Sequence, residues 1–202
     1  MTASSAFDVH IIAIAGGSGS GKSTLCESLL ERHSSEVGLV QLDDYLKPKE
    51  DVPVVEGFPC WDHPDALDFQ RLLRDLKRLK GGEAVTIRTK NARLNPEFAN
   101  THVRIPVIIT PRPIILLEGF LSLFDERIRV LLDDSFFLDL PHEVRYERRA
   151  HFKIPEYERK ILVPMHERYV EPTKTYARHV IDVQIVDATS LIGMVEKTLG
   201  LH

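Results

Sequence analysis

A doubly wound α/β fold, with a mainly parallel sheet and helices on both faces, is predicted by three features of this 202-residue chain. Short β-branched apolar runs alternate with stretches of helical periodicity, the pattern that parallel strands and crossover helices require. The first apolar run ends in a glycine- and serine-rich loop that opens directly into a helical stretch. A weakly alternating segment, residues 84–108, stands apart as a small β excursion beside the sheet.

Val9–Ala15 is apolar, β-branched and stopped by glycines, which predicts a buried strand. Lys22–His33 follows as a helix with Leu25, Leu29 and Leu30 on one face, and Gly38–Leu42 as a second strand. Residues 43–64 carry four prolines and no sustained periodicity. Loops longer than ~12–15 residues are usually functional. Asp65–Lys80 returns to helical spacing, with Phe69, Leu72, Leu73, Leu76 and Leu79 on one face and Gly81-Gly82 as its stop. Pro113–Glu118, Phe136–Asp139 and Val180–Val186 read as further strands, with helical patterns at about 141–152 and 156–177. At roughly one domain per ~150 residues, the length suits one domain spanning 1–202.

With 43% hydrophobic and 28% charged residues the composition is that of a globular protein, which excludes disorder. A formal net charge of −4 argues against a nucleic-acid-binding surface. Cys26 and Cys60 make neither a disulfide framework nor a CxxC site, and the nine histidines lack metal-ligand spacing. The N-terminus has no signal-peptide pattern. Ile11–Ala15 and Ile114–Leu117 fall far short of the ~20 apolar residues that cross a bilayer. The expectation is a soluble, cytoplasmic protein with neither nucleic acid nor membrane as partner.

Chemistry concentrates in Gly16-Gly17-Ser18-Gly19-Ser20-Gly21-Lys22-Ser23-Thr24, which fits G-x4-G-K-[ST] between a strand and a helix. Glycines let successive N–H groups face phosphate oxygens, and the helix start adds its positive dipole end. Lys22 then reaches the β/γ-phosphates and the Ser23 hydroxyl sits on Mg²⁺, so ATP and Mg²⁺ are the expected cofactors. Asp43-Asp44 ends the second strand, where carboxyl ends of a doubly wound sheet line the ligand crevice. A carboxylate there can take the proton of an attacking hydroxyl; the plainer reading is a residue that starts a turn. Glu118 ends an apolar strand, where a lone charge needs a partner such as Mg²⁺, a cap or a salt bridge.

Together with that loop, four strings resemble the uridine kinase and phosphoribulokinase superfamily over about residues 9–187. They are Leu42-Asp-Asp-Tyr-Leu46, Trp61-Asp-His-Pro-Asp-Ala-Leu-Asp-Phe69, Leu117-Glu-Gly-Phe120 and Pro164-Met-His-Glu-Arg-Tyr-Val-Glu-Pro-Thr-Lys174. The second and fourth look like uridine–cytidine kinases. Asp43–Pro48 and Glu118–Phe124 look equally like nicotinamide riboside kinases of the same superfamily. The resemblance implies that Asp43 activates a nucleoside 5′-hydroxyl, that Asp62 binds the ribose diol, and that Tyr45 and Trp61 lie on the acceptor side. It also implies that Arg148 and Arg149 enter a helical lid, about 148–165, and offset charge on the phosphates. Segments 43–64 and 84–108 become acceptor-side insertions. Read without the resemblance, Asp62 caps a helix starting at Pro64, Trp61 is core, and Arg148 and Arg149 belong to a solvated charged face.

The chain departs from uridine kinases after the long helix. Where they carry a pyrimidine-reading Tyr and His, it has Thr86–Asn95, with Lys90 near the Tyr position. Lys90, Arg88 and Arg93 suit an anionic acceptor. The implied function is ATP-dependent phosphorylation of a ribonucleoside 5′-hydroxyl, uridine or cytidine first. The alternatives are nicotinamide riboside or another small metabolite, and, from a different class, an ATP-dependent switch without an acceptor. Monomers and homo-oligomers are both admitted.

Overall fold

A computed structural model of the chain describes residues 7–148 and 154–202. In chain order its strands are β1 (His10–Gly16), β2 (Val37–Gln41), β3 (Val54–Val55), β4 (Phe58–Pro59), β5 (Val85–Thr89), β6 (Ile105–Ile109), β7 (Ile114–Glu118), β8 (Asp134–Asp139) and β9 (His179–Asp182). Five of them form a parallel sheet in the order β2-β7-β1-β8-β9. Central strands of such a sheet are covered on both faces and therefore apolar throughout. Accordingly β1 and β7 are buried almost end to end.

Helix α1 (Lys22–Arg32) and the C-terminal helix Ala188–Leu199 cover one face, through Leu25, Leu29, Leu191 and Val195 packed on Ile12, Ile14 and Leu116. Helix α2 (Phe69–Lys80) covers the other, its apolar stripe meeting Ile11, Ala13 and Leu117. That stripe is the predicted one, but α2 starts four residues later than expected. Asp68 accepts the Arg71 N–H at 2.9 Å as its N-cap, and Pro64–Ala66 forms a separate 3-10 turn.

The excursion is an antiparallel hairpin of β5 and β6, as expected. Strand β9 stops at Asp182, short of the Val186 expected from sequence. Helix His142–Arg148 is described as far as Arg148; the rest of its predicted span reaches outside the described residues. From Pro155 to Tyr176 the chain is helical but uneven, with π turns at Glu158–Leu162 and His166–Val170 and a 3-10 end at Glu171–Tyr176. Pro164 and Pro172 lack an N–H donor, and wide or tight turns absorb the missing ladder bonds. This stretch packs Tyr157, Ile161, Leu162 and Met165 on Cys60, with Phe58 and Val55 alongside. It thereby anchors the loop that carries Trp61 and Asp62. No helix among the described residues is long and apolar enough to cross a membrane.

Candidate active site

The loop after β1 lies hard against helix His142–Arg148. Gly19 has φ +87°, and a Cβ there would stand 2.5 Å from the Arg145 carbonyl oxygen; one on Gly17 would run into the Arg145 guanidinium. Only glycine permits this approach. Arg145 is buried and donates Nε to Leu140 O at 2.9 Å, so its guanidinium braces the loop.

Lys22, the first residue of α1, is buried and donates Nζ to Gly17 O at 2.9 Å. Burial pulls its pKa below the ordinary lysine value, while the carboxylates of Glu118 and Asp43 oppose that shift. Ser20 Oγ is buried with no hydrogen-bond partner among the described residues. Leaving a hydroxyl unpaired costs about 1–3 kcal/mol, and a phosphate oxygen in the loop would supply the partner.

Gln41 and Glu118 face each other in register at the carboxyl ends of β2 and β7. Gln41 Nε2 donates to Glu118 Oε2 at 3.2 Å, and Ser23 Oγ donates to Glu118 Oε1 at 3.3 Å. Burial raises the Glu118 pKa, with the Lys22 cation opposing. No group of three or more His, Cys, Asp or Glu gathers as a metal cage among the described residues. Ser23 and Glu118 are hard oxygen donors that fit Mg²⁺ completed by phosphate and water.

The adjacent acids at the end of β2 take opposite roles. Asp43 is 46% exposed at its side chain and pairs with Lys90 Nζ at 2.8 Å. Asp44 is buried and accepts the Lys90 N–H at 3.1 Å; burial raises its pKa against the hydrogen bonds from Thr89 and Lys90. A single 3-10 turn, Leu42–Tyr45, produces this division and corrects one expectation. It swings Tyr45 inward, 1% exposed, its hydroxyl donating to Asp75 at 3.0 Å beneath the Arg71 guanidinium. Tyr45 is a core residue and does not reach the acceptor side.

Two clefts meet at Asp43. The larger, about 890 Å³, is lined by Ser18–Thr24, Gln41, Glu118, Arg148 and the chain from Val183 to Ala188. The smaller, about 430 Å³, is lined by Trp61, Asp62, Lys90, Phe98, Arg104 and Tyr157. Ser18, Asp43 and Phe120 line both. Gly16 and Gly17 shape the loop without lining either cleft. Arg149 lies outside the described residues.

Asp62 accepts the Tyr157 hydroxyl at 2.9 Å. It caps no helix, since His63 caps the Pro64–Ala66 turn and Asp68 caps α2. Trp61 is half-buried on the cleft wall rather than in the core. Of the three cations grouped by sequence, only Lys90 reaches the smaller cleft. Arg88 instead donates to Arg104 O at 2.8 Å, and Arg93 lines a separate cavity beside β2. Sequence reasoning missed Gln41, Arg104, Arg145 and Tyr157. Gln41 had a usable signal as the one polar residue of the second predicted strand, two positions before the acidic pair. Arg145 had none, because its spacing with Arg148 is equally that of an exposed helix face.

A glycine-rich loop with the G-x4-G-K-[ST] pattern, beside a second, acid-bearing cleft on a parallel sheet, has the architecture of a phosphoryl-transferring P-loop enzyme. The model of the phosphoribulokinase / uridine kinase family matches residues 11–190. A uridine kinase from Shewanella denitrificans is 34% identical over 186 residues, covering 83% of this chain and 84% of that protein. One from Chloroflexus aggregans is 35% identical over 185 residues, with 85% of each chain covered. A Bacillus stearothermophilus structure named as a possible uridine kinase shares the fold, with TM-score 0.63, 17% identity, and 87% of this chain and 89% of that one covered. The chain belongs to the phosphoribulokinase / uridine kinase family.

Proposed function

We propose that this enzyme is an ATP-dependent nucleoside kinase that phosphorylates the 5′-hydroxyl of a ribonucleoside, uridine or cytidine before others. The observation that carries the reading is Asp43, which lines both the phosphate-loop cleft and the acceptor cleft. A base in that place can take the hydroxyl proton while the oxygen is held toward the phosphate side. A switch without an acceptor has no use for the second cleft.

When bound, ATP with Mg²⁺ supplies the phosphoryl group and neutralises part of its charge. Lys22 and the loop N–H groups hold that end, with Ser23 and Glu118 as the cation's protein ligands and Arg148 facing the phosphates. Asp62 accepts from the ribose hydroxyls, a role two carboxylate oxygens suit because they can serve a vicinal diol at once. Tyr157 already donates to Asp62, so the diol shares or displaces that contact. Trp61 forms an aromatic wall beside the sugar or base.

A second reading has its own support. Lys90 and Arg104 place two cations in the acceptor cleft, which suits an acceptor that carries an anion. A coupled ADP-release assay over uridine, cytidine, nicotinamide riboside, pantothenate and ribulose 5-phosphate separates the readings. Uridine or cytidine giving the highest kcat/KM supports the first, and ribulose 5-phosphate doing so moves the assignment to the second. ADP release indifferent to all five acceptors would reject the kinase reading.

A further inference from the structure

The hairpin of β5 and β6 reaches the phosphoryl-transfer site through two consecutive residues, Lys90 and Asn91, just past the end of β5. Lys90 grips both acids of the β2 turn, its ammonium on Asp43 at 2.8 Å and its backbone N–H on Asp44 at 3.1 Å. From the same hairpin, Arg104 Nη2 donates to the Asp43 carbonyl at 3.1 Å.

Asn91 acts on the other side of the site. Its Oδ1 accepts the Arg93 N–H at 2.8 Å, which leaves Nδ2 to donate to Gln41 Oε1. With Oε1 thus engaged, Gln41 presents Nε2 to Glu118 at 3.2 Å. Each amide can point only one way, because reversing either would set like poles together. The chain of bonds therefore fixes which face of Gln41 meets Glu118, and with it how Glu118 stands toward Ser23.

We propose that the Lys90-Asn91 turn is the positioning element of the site: Lys90 aligns Asp43, and Asn91, acting through Gln41, aligns Glu118. One turn of the acceptor-side hairpin then sets both the base and the cation's carboxylate. This rests on the kinase reading above, in which Asp43 is the base and Glu118 a ligand of the cation. Partners that orient a metal ligand commonly change metal affinity or activity 10- to 100-fold when removed.

The test is a Mn²⁺ titration of the ADP-bound protein followed by electron paramagnetic resonance, which needs no turnover. Asn91→Ala and Gln41→Ala should each weaken Mn²⁺ binding by about tenfold. The double variant should lose little more, since both cut one relay. Arg93→Ala, on the same loop, should titrate as wild type because only the Arg93 backbone N–H enters the relay. In turnover, Lys90→Met should lower kcat by roughly 10- to 100-fold with the KM for ATP unchanged, the scale for a displaced catalytic group, and Lys90→Arg should recover much of it. Wild-type Mn²⁺ affinity in both Asn91→Ala and Gln41→Ala would overturn the proposal. So would losses that simply add, or a Glu118→Gln variant that binds Mn²⁺ normally. If wild type instead shows no acceptor-dependent ADP release, the kinase reading fails, while the titration still reads the relay.

Discussion

Asp43 and Asp44 are chemically identical neighbours, so their different surroundings decide which can act as a base. Asp43 faces both clefts, whereas Asp44 is enclosed and its carboxylate is spent on the Lys90 N–H and the Thr89 hydroxyl. Asp43→Asn keeps the shape but cannot accept a proton, so kcat should fall by ~10²–10⁴ with ATP affinity nearly unchanged. Asp44→Asn should leave kcat near wild type and act, if at all, on thermal stability. Steady-state kinetics of the two variants check this, and a larger kcat loss in Asp44→Asn would reverse the assignment. Asp62 makes a parallel case. If it accepts from both ribose hydroxyls, a 2′-deoxy acceptor leaves part of a charged group unpaired, which should cost on the order of 1–3 kcal/mol, or about 5- to 150-fold in kcat/KM. Asp62→Ala should erase the ribose-to-deoxyribose preference. A ratio that stays the same in that variant would end the diol-binding role.

At the scale of elements, the helix-capping duty that sequence offered to Asp62 belongs to Asp68. Its side chain accepts the Arg71 N–H at 2.9 Å and closes the first turn of α2. Asp68→Ala should therefore cost about 1 kcal/mol in chemical denaturation with no effect on the ribose-to-deoxyribose ratio, the opposite pattern to Asp62→Ala. Elements built from local signals were legible in the sequence. Glycines, Lys22 and Ser23 fix the phosphate loop by backbone geometry within nine residues, and the apolar runs announce β1, β7 and β8 because buried parallel strands tolerate little else. Where a side chain points after a tight turn was not legible. Tyr45 and Asp43 are two residues apart, yet the 3-10 turn sends one to the core and the other to the clefts. Nor could sequence show partners set by register across strands, such as Gln41 with Glu118, or by packing of a distant helix, such as Arg145 under Gly17. The alternation of strands and helices predicts a parallel sheet, but not the order β2-β7-β1-β8-β9 that brings Gln41, Ile14 and Glu118 into one row.

For the whole molecule, the helical stretch packed on the loop that carries Trp61 and Asp62 also carries a group that opposes folding in mild acid. His166 is largely buried between that stretch and helix His142–Arg148, and its pKa is pushed down to about 3. Burial is the main cause, followed by the electrostatic influence of Arg145, His142 and Lys22, with Asp139 opposing. Its Nε2 stands 3.3 Å from a Glu171 carboxylate oxygen, a contact made by a neutral ring. Below the ordinary histidine value near 6.5 the unfolded chain binds a proton that the folded chain refuses. Stability then falls as pH drops from about 6.5 toward 3, with a slope of up to about 1.4 kcal/mol per pH unit from this one group. The carboxylates of Asp125, Asp133 and Glu196, whose pKa values are lowered, lose their stabilisation only in a more acidic window, as pH falls below their unfolded values near 4. The raised values of Asp44 and Glu118 act in the opposite sense, since the folded chain takes up their protons first. Denaturation at pH 7 and pH 5 in wild type and His166→Gln isolates the histidine, because the other groups are common to both proteins. The drop in stability between the two pH values should be smaller in His166→Gln. An equal drop would mean that the imidazole accepts its proton in the folded protein, with Glu171 then holding it as a true ion pair.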